Sequence, residues 1–188
     1  GGEAMVRAYH VTYGMHTLVT RGSNTFGPYQ YPEKLAPFFI TEAIDGRPLP
    51  LYGDGRQVRD WLYVDDHCAA IDLVLHQGEP GRVYNVGGDN ERPNIEVTRL
   101  ILKLLGKPES LVRHVEDRPG HDRRYALDCA KIHALGWRPA HTFEEAMAAT
   151  VEWYQRNEWW WRKIKTGEYL EYYKAQYAHR LAKARRGA

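Results

Sequence analysis

Apolar positions along this chain follow two patterns: stretches repeating every three to four residues, and short unbroken runs closed by turn residues. The first stretch sets Met5, Val6, Tyr9 and Tyr13 on one helical face, with Gly14 placed just past the helix end. No Ser, Thr, Asp or Asn precedes it as a cap, so the expectation is the back part of a helix that starts upstream. His16 to Arg21 predicts a buried strand emptying into the turn-rich loop Gly22 to Pro28. Pro32 to about Ile44 predicts a helix with Leu35, Phe38, Phe39 and Ala43 inward, Pro32 suiting the first turn because no N–H is needed there. Leu49 to Tyr52 is extended, and Gly53-Asp54-Gly55 turns the chain back.

Arg59 to Val64 predicts a strand leading to Asp65-Asp66, which suit the cap of a helix from Cys68 to Leu75. Arg82 to Val86 predicts another buried strand, closed by Gly87-Gly88. Asn94 is placed to cap a helix with Val97, Leu100, Ile101 and Leu104 inward. Val112 to Val115 predicts a strand, Glu116 to Arg124 a polar loop, and Cys129 to Gly136 a short helix. Thr142-Phe143-Glu144-Glu145 has the capping-box spacing and opens a helix through Tyr154. Strands alternate with helices, so the predicted class is α/β, with Leu18–Arg21 and Arg82–Val86 in a parallel sheet.

Composition narrows the picture. The 188 residues are 43% hydrophobic and 27% charged, which suits a globular domain with a core. Apolar runs are far too short for a membrane span, and no signal-peptide pattern opens the chain, so a cytoplasmic protein is expected. Cys68 and Cys129 lack CxxC spacing, which argues against a disulfide scaffold and a cysteine zinc site. The formal charge of +2 is uneven: from Arg162 onward the balance is +6, and before it −4. The basic residues alternate there with Tyr169, Tyr172, Tyr173, Tyr177 and Leu181 at helical intervals. An aromatic-faced, solvated terminal helix is expected rather than a nucleic-acid arm.

Familiar chemical motifs are absent from these 188 residues. No G-x-G-x-x-G follows a strand, no two of the nine histidines stand four apart, and no Tyr has a Lys four residues on. No metal site and no catalytic residue are expected in this chain. Its polar loops do suit a phosphorylated ligand. Asn24 directly follows a strand, where it either contacts a ligand or caps its own turn. Arg59 suits a bidentate clamp on a pyrophosphate, or a pairing with Asp60 or Asp54. Asp117 to Arg124 gathers charges and a His around Pro119-Gly120, as a solvated loop or a ligand-facing one. Tyr52 beside Pro50 offers a ring to a base or to the core.

These same loops carry a resemblance. Thr20-Arg21-Gly22-Ser23-Asn24-Thr25-Phe26-Gly27-Pro28-Tyr29, Pro32-Glu33-Lys34-Leu35, Leu49-Pro50-Leu51-Tyr52-Gly53 and Arg59-Asp60-Trp61-Leu62-Tyr63-Val64-Asp65-Asp66-His67 carry its first part. Tyr84-Asn85-Val86-Gly87-Gly88 and Asp117-Arg118-Pro119-Gly120-His121-Asp122-Arg123-Arg124-Tyr125 complete it. With them the chain resembles the C-terminal half of the dTDP-glucose 4,6-dehydratase family, which are extended short-chain dehydrogenase/reductases. The resemblance implies the last parallel strands of a Rossmann sheet plus a smaller substrate-binding lobe. Residues 1–30 would be a remnant of the NAD-binding domain and 31–157 mainly the nucleotide-sugar lobe, with a Rossmann strand and helix around 58–76. Residues 158–188 would be a basic aromatic helical tail.

The activity implied is loss of water from dTDP-glucose through transient oxidation by NAD, giving the 4-keto-6-deoxy sugar nucleotide. Asn24 would lie near the sugar and diphosphate, with Lys34 and Leu35 against the substrate. Pro50, Leu51 and Tyr52 would line the thymidine end, and Arg59 and Asn94 would face the diphosphate or nucleoside. Asp117, Arg118, Pro119, Gly120 and His121 would close the nucleotide side. Thr25 stands where the family usually has a second Asn approaching the nicotinamide of NAD, and it lacks that amide. The family's Gly-rich turn, Asp/Glu pair and Tyr-x-x-x-Lys would all precede Gly1, so the chain is expected to be inactive alone. The family's homodimer helix would continue through residues 3–13, so self-association is expected. Two other readings stay open: a fragment acting on another nucleotide sugar (epimerase, decarboxylase or dehydratase), and a non-catalytic nucleotide-binding module.

Overall fold

Val19, Val83 and Val86 are β-branched residues suited to a pleated surface, and they anchor the first of two parallel strand pairs. In this computed structural model, which describes residues 1–186, β1 (Val19–Gly22) runs parallel to the segment Val83–Val86, Val19 opposite Val83 and Gly22 opposite Val86. The side chains of residues 168, 169, 179, 185 and 186 lie outside the description, and with them the tail position Tyr169. The chain divides into two units: residues 1–25, 59–91 and 125–143, and residues 26–58, 92–124 and 144 onward.

The first unit opens with α1 (Gly2–Tyr13), which ends at Gly14 in the left-handed region, φ 63°, with the Gly14 N–H bonded to the His10 carbonyl. No residue of α1 is buried; Met5, Tyr9, Val11 and Tyr13 are all exposed. After β1 comes β2 (Asn24–Phe26). The expected strand from His16 begins three residues later, and its residues are half-buried or exposed rather than buried.

In the second unit α2 is Leu35–Ile44. It starts at Leu35 rather than Pro32. The proline in its first turn is Pro37, whose missing N–H costs nothing there. Phe38, Phe39 and Ala43 are buried as expected, while Leu35 is half-buried. β3 (Leu49–Tyr52) follows with the predicted bounds.

β4 (Val58–Tyr63) then leads directly into α3 (Val64–Gln77), so the helix starts four residues before Cys68. Asp65 and Asp66 sit in its first turn and make no side-chain cap. Asp66 is buried and instead accepts the Ala140 and His141 N–H groups and a ring nitrogen of His141. β5 (Val83–Val86) and β6 (Glu91–Pro93) precede α4 (Asn94–Leu104). Asn94 is the first residue of α4 and makes no cap. The open N–H groups of that helix start are taken by backbone: Asn94 N–H by the Gln57 carbonyl at 3.0 Å and Ile95 N–H by that of Gly55 at 2.9 Å. The buried stripe of α4 is Val97, Thr98, Ile101 and Leu102, with Leu104 exposed instead of inward.

β7 (Val112–Val115) runs parallel to β3, Leu49 opposite Val112 and Tyr52 opposite Val115. β8 (Arg124–Tyr125) is a short strand, and the third sheet has the order β2-β4-β6 with β8 also on β4. α5 (Ala130–Ala134) completes the first unit's core: Leu62, Ala70, Val74, Tyr84, Val86, Cys129, Ile132 and Trp137 are buried together.

α6 (Phe143–Arg156) is followed by α7 (Glu158–Ile164), α8 (Glu168–Tyr173), one π turn (Lys174–Ala178) and α9 (His179–Arg186). The tail is therefore several helical pieces instead of one. It is also packed: Tyr177 stacks on Phe38 with ring centroids 5.1 Å apart. Tyr29, Trp153 and Trp160 form a second aromatic knot, with centroids 4.5 to 5.6 Å apart. The buried Glu42 carboxylate accepts two hydrogen bonds from Arg47, at 2.7 and 2.9 Å, and one from the buried Lys165 ammonium, which also reaches Thr41. Among the described residues no helix is long and apolar enough to cross a membrane.

Candidate functional site

Tyr52 ends β3 and is half-buried, while Pro50 and Leu51 before it are buried in the second unit. Its ring lies 5.9 Å from that of His121, edge-on, and the Arg180 guanidinium sits 5.1 Å from its centroid. His121 is itself nearly buried and bonds Asp117 Oδ1 through Nδ1 at 2.6 Å. Gln57 donates to the other carboxylate oxygen, Oδ2, at 2.7 Å, and the Arg118 N–H donates to Oδ1 at 2.8 Å. Against the upward push of burial, the His121, Arg118 and Gln57 donors hold Asp117 below the ordinary carboxylate range. Gly53, at φ 54°, lets the chain turn beside this carboxylate; a Cβ there would stand 3.1 Å from Oδ2.

Two acceptor oxygens in this region lack a donor. Gln57 Oε1 and Asn94 Oδ1 are both buried without a hydrogen bond, and their residues are joined by the Asn94 N–H to Gln57 carbonyl bond. Buried oxygens of this kind suit a ligand that brings hydroxyl or N–H donors. Pro119 and Gly120 form the exposed turn between Arg118 and His121, with Gly120 at φ 67°. Lys34 precedes α2, is exposed and pairs with Glu33 at 3.0 Å; Leu35 is half-buried beside it. Asp54, the partner that the sequence offers Arg59, holds Arg123 through two hydrogen bonds at 2.9 and 3.1 Å.

The first unit holds the other predicted residues. Arg59 is buried, and its guanidinium lies 4.1 Å from the centroid of the Tyr125 ring. Asp60 accepts the Gly88 and Asn90 N–H groups at 3.0 and 2.9 Å, closing the loop after β5. That loop needs its glycines: a Cβ on Gly88 would stand 1.9 Å from the Trp61 carbonyl oxygen. Asn24 is half-buried at the start of β2. Thr25 Oγ1 meets His67 Nδ1 at 2.9 Å, and burial lowers the His67 pKa, which favours the neutral ring. His67 packs over Gly22, where a Cβ would meet its ring at 2.5 Å.

Gln57 belongs to no spacing motif, and His67 ends a run that carries the resemblance without a role of its own; the roles of both come from what they bond. The same holds for a third group, Asp89, Cys129 and His133, whose potential metal-ligand atoms lie within 4.8 Å of one another.

The GDP-mannose 4,6 dehydratase family model matches residues 1–150. The dTDP-glucose 4,6-dehydratase of Xanthomonas campestris pv. campestris is 54% identical over 177 residues, covering 89% of this chain and 50% of that protein. The solved dTDP-glucose 4,6-dehydratase of Bacillus anthracis, in complex with NAD, is 51% identical with a TM-score of 0.82, over 87% of this chain and 52% of that one. The Streptomyces venezuelae enzyme of the same name, also with NAD bound, is 50% identical with a TM-score of 0.85, over 88% and 52% of the two chains. The chain thus spans about half the length of the relatives it matches.

Proposed function

The chain belongs to the GDP-mannose 4,6 dehydratase family, and on that footing we propose that it is the nucleotide-sugar-binding part of a dTDP-glucose 4,6-dehydratase. The observation that carries the reading is identity of half or more, over nearly nine-tenths of the chain, to enzymes of that name. The reaction removes water from dTDP-glucose to give dTDP-4-keto-6-deoxyglucose. NAD, when bound, supplies the transient hydride acceptor. Thr25, which the resemblance puts near the nicotinamide, lacks the family's usual amide and bonds His67 through its hydroxyl instead. The rest of the NAD site and the acid–base groups fall to the half of the relatives' length that this chain does not span.

This chain's own residues bind and orient. Tyr52, held between His121 and Arg180, offers an aromatic face to the thymine. The donorless oxygens of Gln57 and Asn94 accept from the nucleoside, and Asp117 fixes the His121 ring that closes the nucleotide side. By the resemblance, Arg59 would supply positive charge for the diphosphate, and Asn24, Lys34 and Leu35 would serve the sugar. The protein is read as cytoplasmic, and as homo-oligomeric from the exposed apolar row of α1.

Calorimetric titration of the chain with dTDP, UDP and GDP tests the proposal. The expected order places dTDP first, with Tyr52→Ala and His121→Ala each weakening it about tenfold, equivalent to ~1.4 kcal/mol. Equal or tighter UDP binding, or variants that bind dTDP unchanged, would overturn the assignment. Turnover of dTDP-glucose by the 188-residue chain alone would overturn the division of labour.

A further inference from the structure

We propose that Asp89, Cys129 and His133 form a zinc-binding site in the first unit. Cys129 directly precedes α5 and His133 lies four residues on, so both side chains rise from one turn. Asp89 comes from the loop after Gly87-Gly88, held by its backbone at φ 50°. One donor atom from each of the three lies within 4.8 Å of the others, and His133 Nε2 is 3.1 Å from Asp89 Oδ2.

Three observations favour an ion over ordinary packing. His133 Nε2 is buried and makes no hydrogen bond although the Asp89 oxygen is near. The two groups face each other outside hydrogen-bond geometry, as two ligands of a single ion do. The buried Cys129 sulfur accepts the Gly87 N–H at 3.0 Å, a contact that also stabilises a thiolate. Gly87 permits it, since a Cβ there would stand 2.9 Å from that sulfur. Finally, burial and the negative charge of Asp89, Asp60 and Asp128 keep the free Cys129 sulfur a thiol, and a bound cation would offset that negative charge.

The donor set selects the metal. A thiolate, an imidazole and a carboxylate match Zn²⁺ and similar borderline ions, and the sulfur disfavours Mg²⁺ and Ca²⁺. A fourth ligand, water, would enter from the exposed Asp89 side. On binding, the Cys129 S–H bond breaks, its proton passes to solvent and the sulfur pair forms the bond to zinc. No oxidation state changes. The ion would tie the loop after β5 to α5 and stabilise the folded state by mass action.

Cobalt and zinc titrations of the reduced, full 188-residue chain provide the test. One equivalent of Co²⁺ is expected to give a near-ultraviolet sulfur-to-cobalt charge-transfer band that one equivalent of Zn²⁺ removes and Mg²⁺ does not. Cys129→Ser should abolish the band, and His133→Ala should weaken Zn²⁺ binding at least tenfold. Asp89→Asn alters an exposed side chain, so it reads the site even where the Cys129 variant fails to fold, and about a tenfold loss of Zn²⁺ affinity is expected. Cys68→Ser removes the other, exposed thiol and should leave the band intact. No stoichiometric binding, a band that survives Cys129→Ser or disappears in Cys68→Ser, or unchanged affinity in Asp89→Asn would each overturn the proposal.

Discussion

Arg123 donates twice to Asp54, and the Arg56 N–H adds a third hydrogen bond at 2.9 Å. The Arg123 bonds are the main reason that the Asp54 carboxyl falls from 3.8 to about 2. A lowered folded-state pKa means that the unfolded chain takes up the proton first as pH drops. The stabilisation from this pair is therefore complete above pH 3.8 and disappears as the pH falls through about 2. Carboxyl NMR titration should show Asp54 rising toward 3.8 in Arg123→Ala; an unmoved midpoint would show that Arg123 is not the cause. Residue types in the site were legible in the sequence, since Tyr52, Asp117 and His121 meet in one cluster. Their bonding was not. Proximity in sequence makes Asp54 a partner for Arg59, yet its carboxylate holds Arg123, 69 residues along the chain.

At the scale of elements, the buried charge cluster beneath α2 fixes the end of α7. Burial pushes the Lys165 ammonium below the ordinary lysine range, while Glu42 favours its charged form. Replacing Glu42 by Ala leaves Lys165 and Arg47 without their shared carboxylate, and breaking a buried pair from one side typically costs about 3–5 kcal/mol. Urea unfolding should show a loss of that order for Glu42→Ala, and a loss as small as that of a surface pair would mean that water already reaches Lys165. Nothing in the sequence marked Glu42, because its partners lie both five and 123 positions away. Strand bounds were read correctly at β3 and β7, where turn residues punctuate short apolar runs. Helix starts slipped at α2, α3 and α4. None of the three opens on a side-chain cap: α2 starts past Pro32, Asp66 bonds His141 and Ala140 instead, and Asn94 leaves its helix N–H groups to backbone carbonyls.

For the molecule as a whole, the class and the parallel pairing of β1 with β5 were legible because β-branched runs and glycine turns carry that information locally. The split tail was not: helical spacing persists through the π turn at Lys174–Ala178, so the sequence looks continuous where the backbone changes. α1 buries none of its residues against its own chain, leaving Met5, Tyr9 and Tyr13 along one exposed side. Sedimentation should accordingly show the chain above its 21.8 kDa monomer mass, and Tyr9→Glu should shift it toward monomer; a wild-type monomer would count against this role of α1.

The knot of Tyr29, Trp153 and Trp160 has an optical consequence. Indole and phenol rings held within 5.6 Å at fixed, steeply tilted angles are chirally coupled chromophores. Their near-ultraviolet dichroism depends on that packing and vanishes when side chains lose their fixed positions, even if the helices persist. The second unit thus carries an intrinsic spectroscopic label, and the join between α6 and α7 can be watched by polarised light without attaching a dye.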